Sequence, residues 1–210
     1  MTDTLKKQFV KRLISDGSIQ FGKQFQGKSG QTYACETDIR LSFTSYGKTR
    51  EIADILLQLI TRTIDDSSYD YFVGVPETGT MIAQFLNERK YERFRDDFAF
   101  NWLRGTPKEY QSTTNSINTV LPNVWSSRGI LVEDDIVTGK TLLNYLDVAQ
   151  RAQLHLTGVV TIFSRDSLGG NSLRKTIQQN YGLPFYSIID ITEDFINREG
   201  ELSWGTGESK

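Results

Sequence analysis

Two adjacent carboxylates and a hydroxyl-rich turn are the residues of this sequence best suited to chemistry. Glu133 and Asp134 follow the apolar run 129–132, which predicts a buried strand with both acids at its end. The turn 138–141 then opens a helical pattern, so its backbone N–H groups would face a phosphate at a helix N-terminus. The acids could bind ribose hydroxyls, or hold a divalent metal through water. Together these features predict a site for a sugar phosphate.

Other interpretations of this segment fit less well. Residues 139–141 end like a nucleotide-binding P-loop, but that loop needs a glycine five residues before Gly139, where Asp134 stands. Residues 132–135 open like a phosphoacceptor receiver domain, yet too little chain follows for a domain of roughly 100–150 residues. A plain strand–turn–helix corner with solvated acids is the remaining alternative.

A second turn and a long polar segment could also meet an anionic ligand. Residues 76–80 follow the apolar run 71–75 and open a helix, so their backbone amides could receive a second anion; a plain turn is the alternative. The polar segment 105–127 exceeds the ~12–15 residues usual for loops in compact domains, which favours a functional or a disordered segment. With Arg104 and Lys108 near its start, it could close over a polyanionic substrate and exclude water.

Alternating helical and strand patterns predict the elements that position these residues. Such alternation is typical of a parallel sheet with helices on both faces, and ligands of these sheets bind beyond the carboxyl ends of the strands. Predicted helices cover residues 5–14, 46–62, 78–89, 142–149 and 173–179. Predicted strands cover residues 71–75, 98–102, 129–132, 159–163 and 185–189. We expect a single domain over residues 1–210, with a flexible tail at 197–210.

Composition narrows the class of protein. A chain of 210 residues can bury one substantial core, and its 24 basic and 26 acidic residues (net charge −2) give no electrostatic footprint for nucleic acid or an anionic membrane. The single Cys35 excludes an intrachain disulfide and a cysteine-based metal site, and a structural role is favoured for the single His155. The N-terminus is too polar for a signal peptide and no run of 18 apolar residues occurs, so we expect a cytoplasmic protein.

The segment 131–141 resembles the phosphoribosyl-pyrophosphate (PRPP) signature of the type I phosphoribosyltransferases. In that family four apolar residues precede two acids, two mostly apolar residues and a Thr/Ser-Gly-x-Thr/Ser turn. Asp135 stands where an apolar residue is usual, and Val137 stands where threonine is common. The resemblance places the ribose hydroxyls at the acids, the 5-phosphate at the turn and the pyrophosphate at 76–80. The PRPP-binding residues that it implies are Glu133, Asp134, Asp135, Val137, Thr138, Gly139, Lys140, Thr141, Glu77, Thr78, Gly79 and Tyr110.

The long polar segment resembles the Arg-Lys-x-x-Lys-x-His-Gly loop of the orotate phosphoribosyltransferases. Arg104 and Lys108 match its first and third basic residues. Gly105 replaces a lysine, Tyr110 stands where histidine (sometimes tyrosine) is found, and Gln111 replaces glycine. By this resemblance, Arg104 and Lys108 stabilise the leaving pyrophosphate.

The base pocket resembles that of the same enzymes in part. Lys28, in a Lys-Ser-Gly segment, is implied to reach the pyrophosphate or the base carboxylate, and Arg165 is implied to lie against orotate. A guanidinium suits a planar carboxylated pyrimidine. Glu36 occupies the position of an aromatic residue that stacks on the base, where a carboxylate would repel orotate. Either Tyr33 or Phe25 provides the stacking face, or the base is not orotate.

These resemblances imply a type I phosphoribosyltransferase-like α/β fold, in which helices flank a central, mostly parallel sheet and residues 1–40 form a small N-terminal hood. They imply transfer of the 5-phosphoribosyl group from PRPP to orotate, with Arg104, Lys108, Glu133 and Asp134 as catalytic residues. Mg²⁺ would be bound with PRPP, with no protein side chain assigned as its ligand, and the protein would be a homodimer. A different purine or pyrimidine base, or a non-catalytic regulator that binds PRPP or a nucleotide, is the alternative.

Overall fold

The structure is a computed structural model that describes residues 2–26, 32–95, 103 and 127–204. Its helices are α1 (Thr2–Ser15), α2 (Tyr46–Thr61), α3 (Thr78–Phe94), α4 (Lys140–Arg151), α5 (Ser172–Tyr181) and α6 (Glu193–Trp204). Its strands are β1 (Ile19–Gln26), β2 (Thr32–Thr37), β3 (Tyr71–Gly74), β4 (Gly129–Ile136), β5 (Leu156–Ser164) and β6 (Phe185–Asp190). Most of the helices and strands predicted from periodicity are therefore confirmed within a few residues of their predicted ends.

Strands β3 to β6 form a parallel sheet in the order β3-β4-β5-β6. Neighbours along the chain are thus neighbours in the sheet, and each crossover contains a helix, as parallel pairing requires. Leu131 at the centre of β4 is paired with Val73 on one side and Val159 on the other. The carboxyl ends of all four strands consequently meet along one edge of the sheet.

Both faces of the sheet are covered, which confirms the predicted layers. Ile130 and Val132 of β4 pack in a cluster with side chains of α1, α2 and α3. Leu131, between them, packs in a second cluster with α4 and α5. Successive strand residues point to opposite faces, so an uninterrupted apolar run is the pattern of a strand buried on both sides.

The first forty residues divide between the core and a separate small sheet. Helix α1 buries Phe9 and Leu13 in the first cluster. Strands β1 and β2 form an antiparallel hairpin of their own, with Ile19 opposite Thr37. The end of β2 therefore lies where β1 begins, and it reaches the carboxyl edge of the main sheet through Thr37, as described below.

Helix α6 corrects the prediction of a flexible tail from residue 197, because it continues to Trp204. Phe195 and Glu199 are buried, and the Phe195 ring centre lies 6.1 Å from that of Phe21 in β1. Packing against the hairpin thus stabilises a segment whose polar, glycine-containing composition favours disorder when it is considered alone. Residues 205–210 lie outside the described part of the chain.

Several sequence predictions fall on residues that the structure does not describe. These are the strand 98–102, nearly all of the polar segment 105–127, and Lys28, Arg104, Lys108 and Tyr110. Leu103 is described, and it is buried in the second cluster. Among the described residues, no helix is both long enough and apolar enough to cross a membrane.

Candidate active site

Strand β4 continues through the acids, where the sequence predicted that it would end before them. Glu133 is paired with Thr161 of β5, and Asp135 with Phe163. The strand is longer than predicted because β5 runs beside it to Ser164 and supplies hydrogen-bonding partners that local sequence does not reveal. The acids are consequently held on regular backbone at the carboxyl edge of the sheet.

The two adjacent acids face opposite sides of the sheet. Glu133 lies on the side of Tyr145 in α4. Burial is the main cause of the raised pKa of the Tyr145 hydroxyl, and the nearby charge of Glu133 is the second cause. Asp134 lies on the side of Arg40, whose pKa is raised mainly by its hydrogen bond to Asp38 and slightly by Asp134. A ligand that contacts both carboxylates must therefore sit over the end of the strand.

Glu133 is a buried acid whose hydrogen bonding is incomplete. Its side chain is 7% exposed, and Oε1 accepts the backbone N–H of Asp134 at 3.2 Å. Oε2 is buried and has no hydrogen-bond partner among the described residues. Burial, together with the adjacent Asp134, raises the pKa of Glu133 to about 9. Buried polar atoms are nearly always paired, so an unpaired carboxyl oxygen in the last half of β4 marks a place where a ligand hydroxyl can donate.

The N-terminus of helix α3 is pressed directly against β4. A Cβ at Gly79 would lie 2.5 Å from the Val132 carbonyl oxygen, and one at Gly74 would lie 2.1 Å from the Gly79 carbonyl carbon. Only glycine permits this approach, which brings the first turn of α3 beside Glu133. Glu77 is the N-cap residue and makes no side-chain capping hydrogen bond, and the Pro76–Glu77 peptide bond is cis. The predicted turn and helix start are confirmed.

The turn before helix α4 is also confirmed. Gly139 has φ +73° and is the N-cap residue, and the helix start lacks a side-chain capping hydrogen bond. A Cβ there would lie 2.5 Å from the Leu173 side chain, so both the left-handed backbone and the packing require glycine. Residues on either side are exposed, namely Val137, Thr138, Lys140 and Thr141. Hydroxyls and backbone amides of this turn are therefore accessible to an anion.

Asp135 belongs to a closed network that the sequence did not predict. Arg165 Nη1 donates to both Asp135 oxygens, at 2.7 and 2.8 Å, and Nη2 donates to Thr37 Oγ1 at 2.7 Å. Thr37 Oγ1 in turn donates to Asp135 Oδ2 at 2.5 Å, and the Cys35 carbonyl accepts from Nη2 at 3.3 Å. Arg165 is 6% exposed and Asp135 21% exposed. Burial raises the pKa of Asp135, and the guanidinium opposes that shift. The network joins β4, the residue after β5, and the hairpin strand β2.

The structure brings some predicted base-pocket residues together and separates others. Arg165 reaches the carboxyl edge of β4, and its own N–H donates to the Ile136 carbonyl at 2.9 Å. Glu36 is exposed, and strand alternation places it on the face of β2 opposite Cys35 and Thr37. The carboxylate that stands at the usual stacking position is therefore not on the side of the hairpin that faces Arg165.

Glu133 and Asp134 are described acids that could meet a divalent ion through water. In the described ranges, no group of three or more His, Cys, Asp or Glu side chains could hold a metal ion. Mg²⁺ keeps several waters and is often bound through one or two carboxylates together with substrate phosphates. Glu133 and Asp134 suit that arrangement, in which ligand hydroxyls or waters lie between the protein and the ion.

Proteins similar in sequence to this chain include an orotate phosphoribosyltransferase and a uridine 5′-monophosphate synthase. It is 23% identical over 184 residues to the orotate phosphoribosyltransferase of Pyrobaculum aerophilum, covering 88% of this chain and 86% of that protein. It is 24% identical over 187 residues to the uridine 5′-monophosphate synthase of Caenorhabditis elegans, covering 89% of this chain and 34% of that longer protein. No protein-family model matches the sequence.

The fold is similar to those of solved phosphoribosyltransferases. The orotate phosphoribosyltransferase of Francisella tularensis superposes with a TM-score of 0.69 at 17% identity, over 96% of this chain and all of that chain. The Mycobacterium tuberculosis orotate enzyme in complex with PRPP gives 0.58 at 16% identity, over 89% and 96%. The adenine phosphoribosyltransferase of Leishmania donovani gives 0.51 at 17% identity, over 88% and 82%. The chain therefore has the fold of the phosphoribosyltransferases, as its sequence predicted.

Proposed function

We propose that this protein transfers the 5-phosphoribosyl group from PRPP to orotate, giving orotidine 5′-monophosphate and pyrophosphate. The observation that carries the proposal is Glu133, a buried carboxyl with an unpaired oxygen, in a strand that contacts the N-terminus of α3 and leads into that of α4, neither of which has a side-chain capping hydrogen bond. A diol between two anions is the chemistry that such a site recognises, and PRPP is a pentose diol with phosphoryl groups at two ends. The named relatives and the shared fold support the same assignment.

In the proposed complex, each anionic end of PRPP lies at a helix N-terminus. The 5-phosphate accepts hydrogen bonds from the turn Val137, Thr138, Gly139, Lys140 and Thr141, and the Lys140 ammonium adds a cation. The pyrophosphate lies against Glu77, Thr78 and Gly79 at the start of α3. Both ends use backbone N–H groups and the positive end of a helix dipole, which favour anions without a dedicated cation. Glu133 and Asp134 accept hydrogen bonds from the ribose hydroxyls between them.

The reaction is a displacement at the ribose anomeric carbon. A bond forms from a ring nitrogen of the base to that carbon, and the bond from the carbon to the pyrophosphate oxygen breaks with its electron pair. The ring nitrogen gives up its proton to solvent or to the departing pyrophosphate. Positive charge develops on the ribose ring, so carboxylates at the adjacent hydroxyls stabilise the transition state. Glu133 must lose its proton to do so, and ribose hydroxyl donors to Oε2 favour the ionised form. If Mg²⁺ is bound with PRPP, it would offset the charge of the pyrophosphate.

Basic residues outside the described ranges complete the proposed site. Arg104 and Lys108, with Tyr110, would contact the leaving pyrophosphate when their segment closes over it. Lys28 would reach the pyrophosphate or the base. By resemblance to the phosphoribosyltransferases, the segment would serve the site of a neighbouring subunit, so we expect a homodimer, which light scattering after gel filtration would measure.

The direct test is an assay with PRPP, Mg²⁺ and orotate in which loss of orotate absorbance is followed. Turnover supports the proposal, and absence of turnover while PRPP still binds contradicts it. The Lys108→Ala variant then separates an enzyme from a non-catalytic PRPP-binding regulator, because an enzyme loses rate steeply whereas a regulator loses only affinity.

A second candidate, phosphoribosyl transfer to a base without a carboxylate, is favoured by one observation. The guanidinium proposed for the orotate carboxylate already has a carboxylate partner, Asp135. A panel of purine and pyrimidine bases at saturating PRPP distinguishes the candidates by which base is consumed.

A further inference from the structure

We infer that Asp135 is a specificity-determining residue, which competes with a carboxylated base for the guanidinium of Arg165. This inference rests on the proposed function, since it concerns the base pocket of that reaction. The consequence is a weaker preference for carboxylated over neutral pyrimidines than the same pocket would have with an apolar residue at position 135.

The contacts of Arg165 support this role directly. Both oxygens of Asp135 accept from Nη1, and Nη2 is shared between Thr37 Oγ1 and the Cys35 carbonyl. The hydroxyl of Thr37 donates back to Asp135, so the three side chains close a ring. The paired charges cancel, and an incoming carboxylate meets a guanidinium whose charge is already matched. Charge-assisted hydrogen bonds of this kind are about twice as strong as neutral ones.

The position of the network makes it part of a ligand site. Arg165 follows β5 directly, and Asp135 is next to the last residue of β4. Both lie at the carboxyl edge of the parallel sheet, where ligands of such folds bind. Thr37 approaches the same edge from the hairpin, at the end of β2. A base next to a ribose held by Glu133 and Asp134 would therefore lie beside this network.

A second Asp–Arg pair provides the comparison that separates specificity from ordinary structure. Asp70 and Arg128 form an ion pair at 2.8 Å at the opposite edge of the sheet, just before β3 and β4 begin. That pair is 32% and 37% exposed, and it lies away from the acids of β4. Removing its charge perturbs an inter-strand ion pair without touching the proposed pocket, so Asp70→Asn is the matched control for Asp135→Asn.

Calorimetry measures the binding of orotate and of uracil to the protein with Mg²⁺, without PRPP or a PRPP analogue. Where turnover occurs, kcat/KM is also measured for each base. In Asp135→Asn the preference for orotate over uracil should rise about tenfold or more, because the base carboxylate no longer competes with a protein carboxylate. Asp135→Glu, which keeps the charge, should stay closer to the original preference. Asp70→Asn should leave the preference within about twofold.

An unchanged or reduced orotate preference in Asp135→Asn, or an equal rise in Asp70→Asn, overturns the inference, as does a failure of Asp135→Asn to bind either base. Lack of orotate turnover by the unmodified protein contradicts the proposed function instead, and the binding ratio still decides the role of Asp135.

If circular dichroism shows that Asp135→Asn does not fold, Thr37→Val replaces it. That variant keeps both charges, removes the shared hydroxyl and should raise the preference to a smaller extent, whereas no rise overturns the inference.

Discussion

Two acids at opposite edges of the same sheet have opposite pKa shifts. Asp70, at the amino edge, accepts hydrogen bonds from the Arg128 backbone N–H and guanidinium, and the guanidinium hydrogen bond holds the pKa of Asp70 below its usual value. Glu133, at the carboxyl edge, keeps one oxygen unpaired, and burial raises its pKa to about 9. The residue types are similar and the surroundings differ. The comparison shows that partners, and not the presence of a carboxylate, distinguish a structural acid from one available to a ligand.

The largest effect is expected when both acids at the carboxyl edge are replaced, which tests whether PRPP binds at this edge and not at the amino edge. The double variant Glu133→Gln and Asp134→Asn should lose at least about 100-fold in affinity for PRPP with Mg²⁺, because both acidic acceptors for the ribose hydroxyls are replaced by amides. Titration calorimetry on the folded variant measures this loss. Asp70→Asn should bind PRPP like the unmodified protein, and an affinity that is unaffected in the double variant would remove the basis of the proposed site.

Glycines at the two edges should tolerate a methyl group differently. Gly79→Ala should destabilise the protein by about 3 kcal/mol, because the added Cβ meets the backbone oxygen of Val132 at 2.5 Å. Gly129→Ala should cost only about 1 kcal/mol, since the atoms nearest to its Cβ belong to the side chains of Tyr71 and Leu156, at 3.0 Å and beyond, and not to the backbone. Urea unfolding of both variants gives the two free energies, and equal values would argue against a tighter carboxyl edge.

The pH dependence of stability should identify Glu133 as a strained acid. The folded protein holds the Glu133 proton up to a pKa of about 9, while the unfolded chain releases it near 4.5, so stability falls as pH rises through that interval. Glu133→Gln lacks this dependence and should be more stable than the unmodified protein at pH 8.5, by on the order of 2 kcal/mol, with little difference at pH 4.5. Thermal unfolding of both proteins across this pH range provides the measurement, and a constant difference would contradict the assignment.

Asp70 should show the opposite and smaller dependence. Its pKa is lowered in the folded protein, so its contribution to stability is present above the unfolded value and is lost as pH falls through the folded one. Asp70→Asn should therefore cost about 1 kcal/mol at pH 7 and less at pH 3, a modest value because the ion pair is partly exposed. Denaturant unfolding at the two pH values checks the sign, and a larger loss at pH 3 would reverse the comparison between the edges.

The sequence by itself determined those features that depend on local pattern. Apolar periodicity predicted the helices and strands, and the order of apolar run, acids, hydroxyl turn and helix located the carboxyl edge of β4. The sequence also predicted that Gly139 lies in a turn. The left-handed backbone found there, with φ +73°, is the conformation that glycine adopts most easily. These features follow from interactions between residues near one another in the chain.

Only the tertiary structure decided which partner each buried polar group has. The network of Asp135, Arg165 and Thr37 joins residues about 30 and 98 positions apart in the chain, which no local pattern encodes. The extension of β4 through its acids depends on the neighbouring strand β5, and the helix from Glu193 to Trp204 depends on the hairpin that it packs against. An aspartate at a usually apolar position was the one local sign that a distant cation was required, because a buried charge is stable only with a partner.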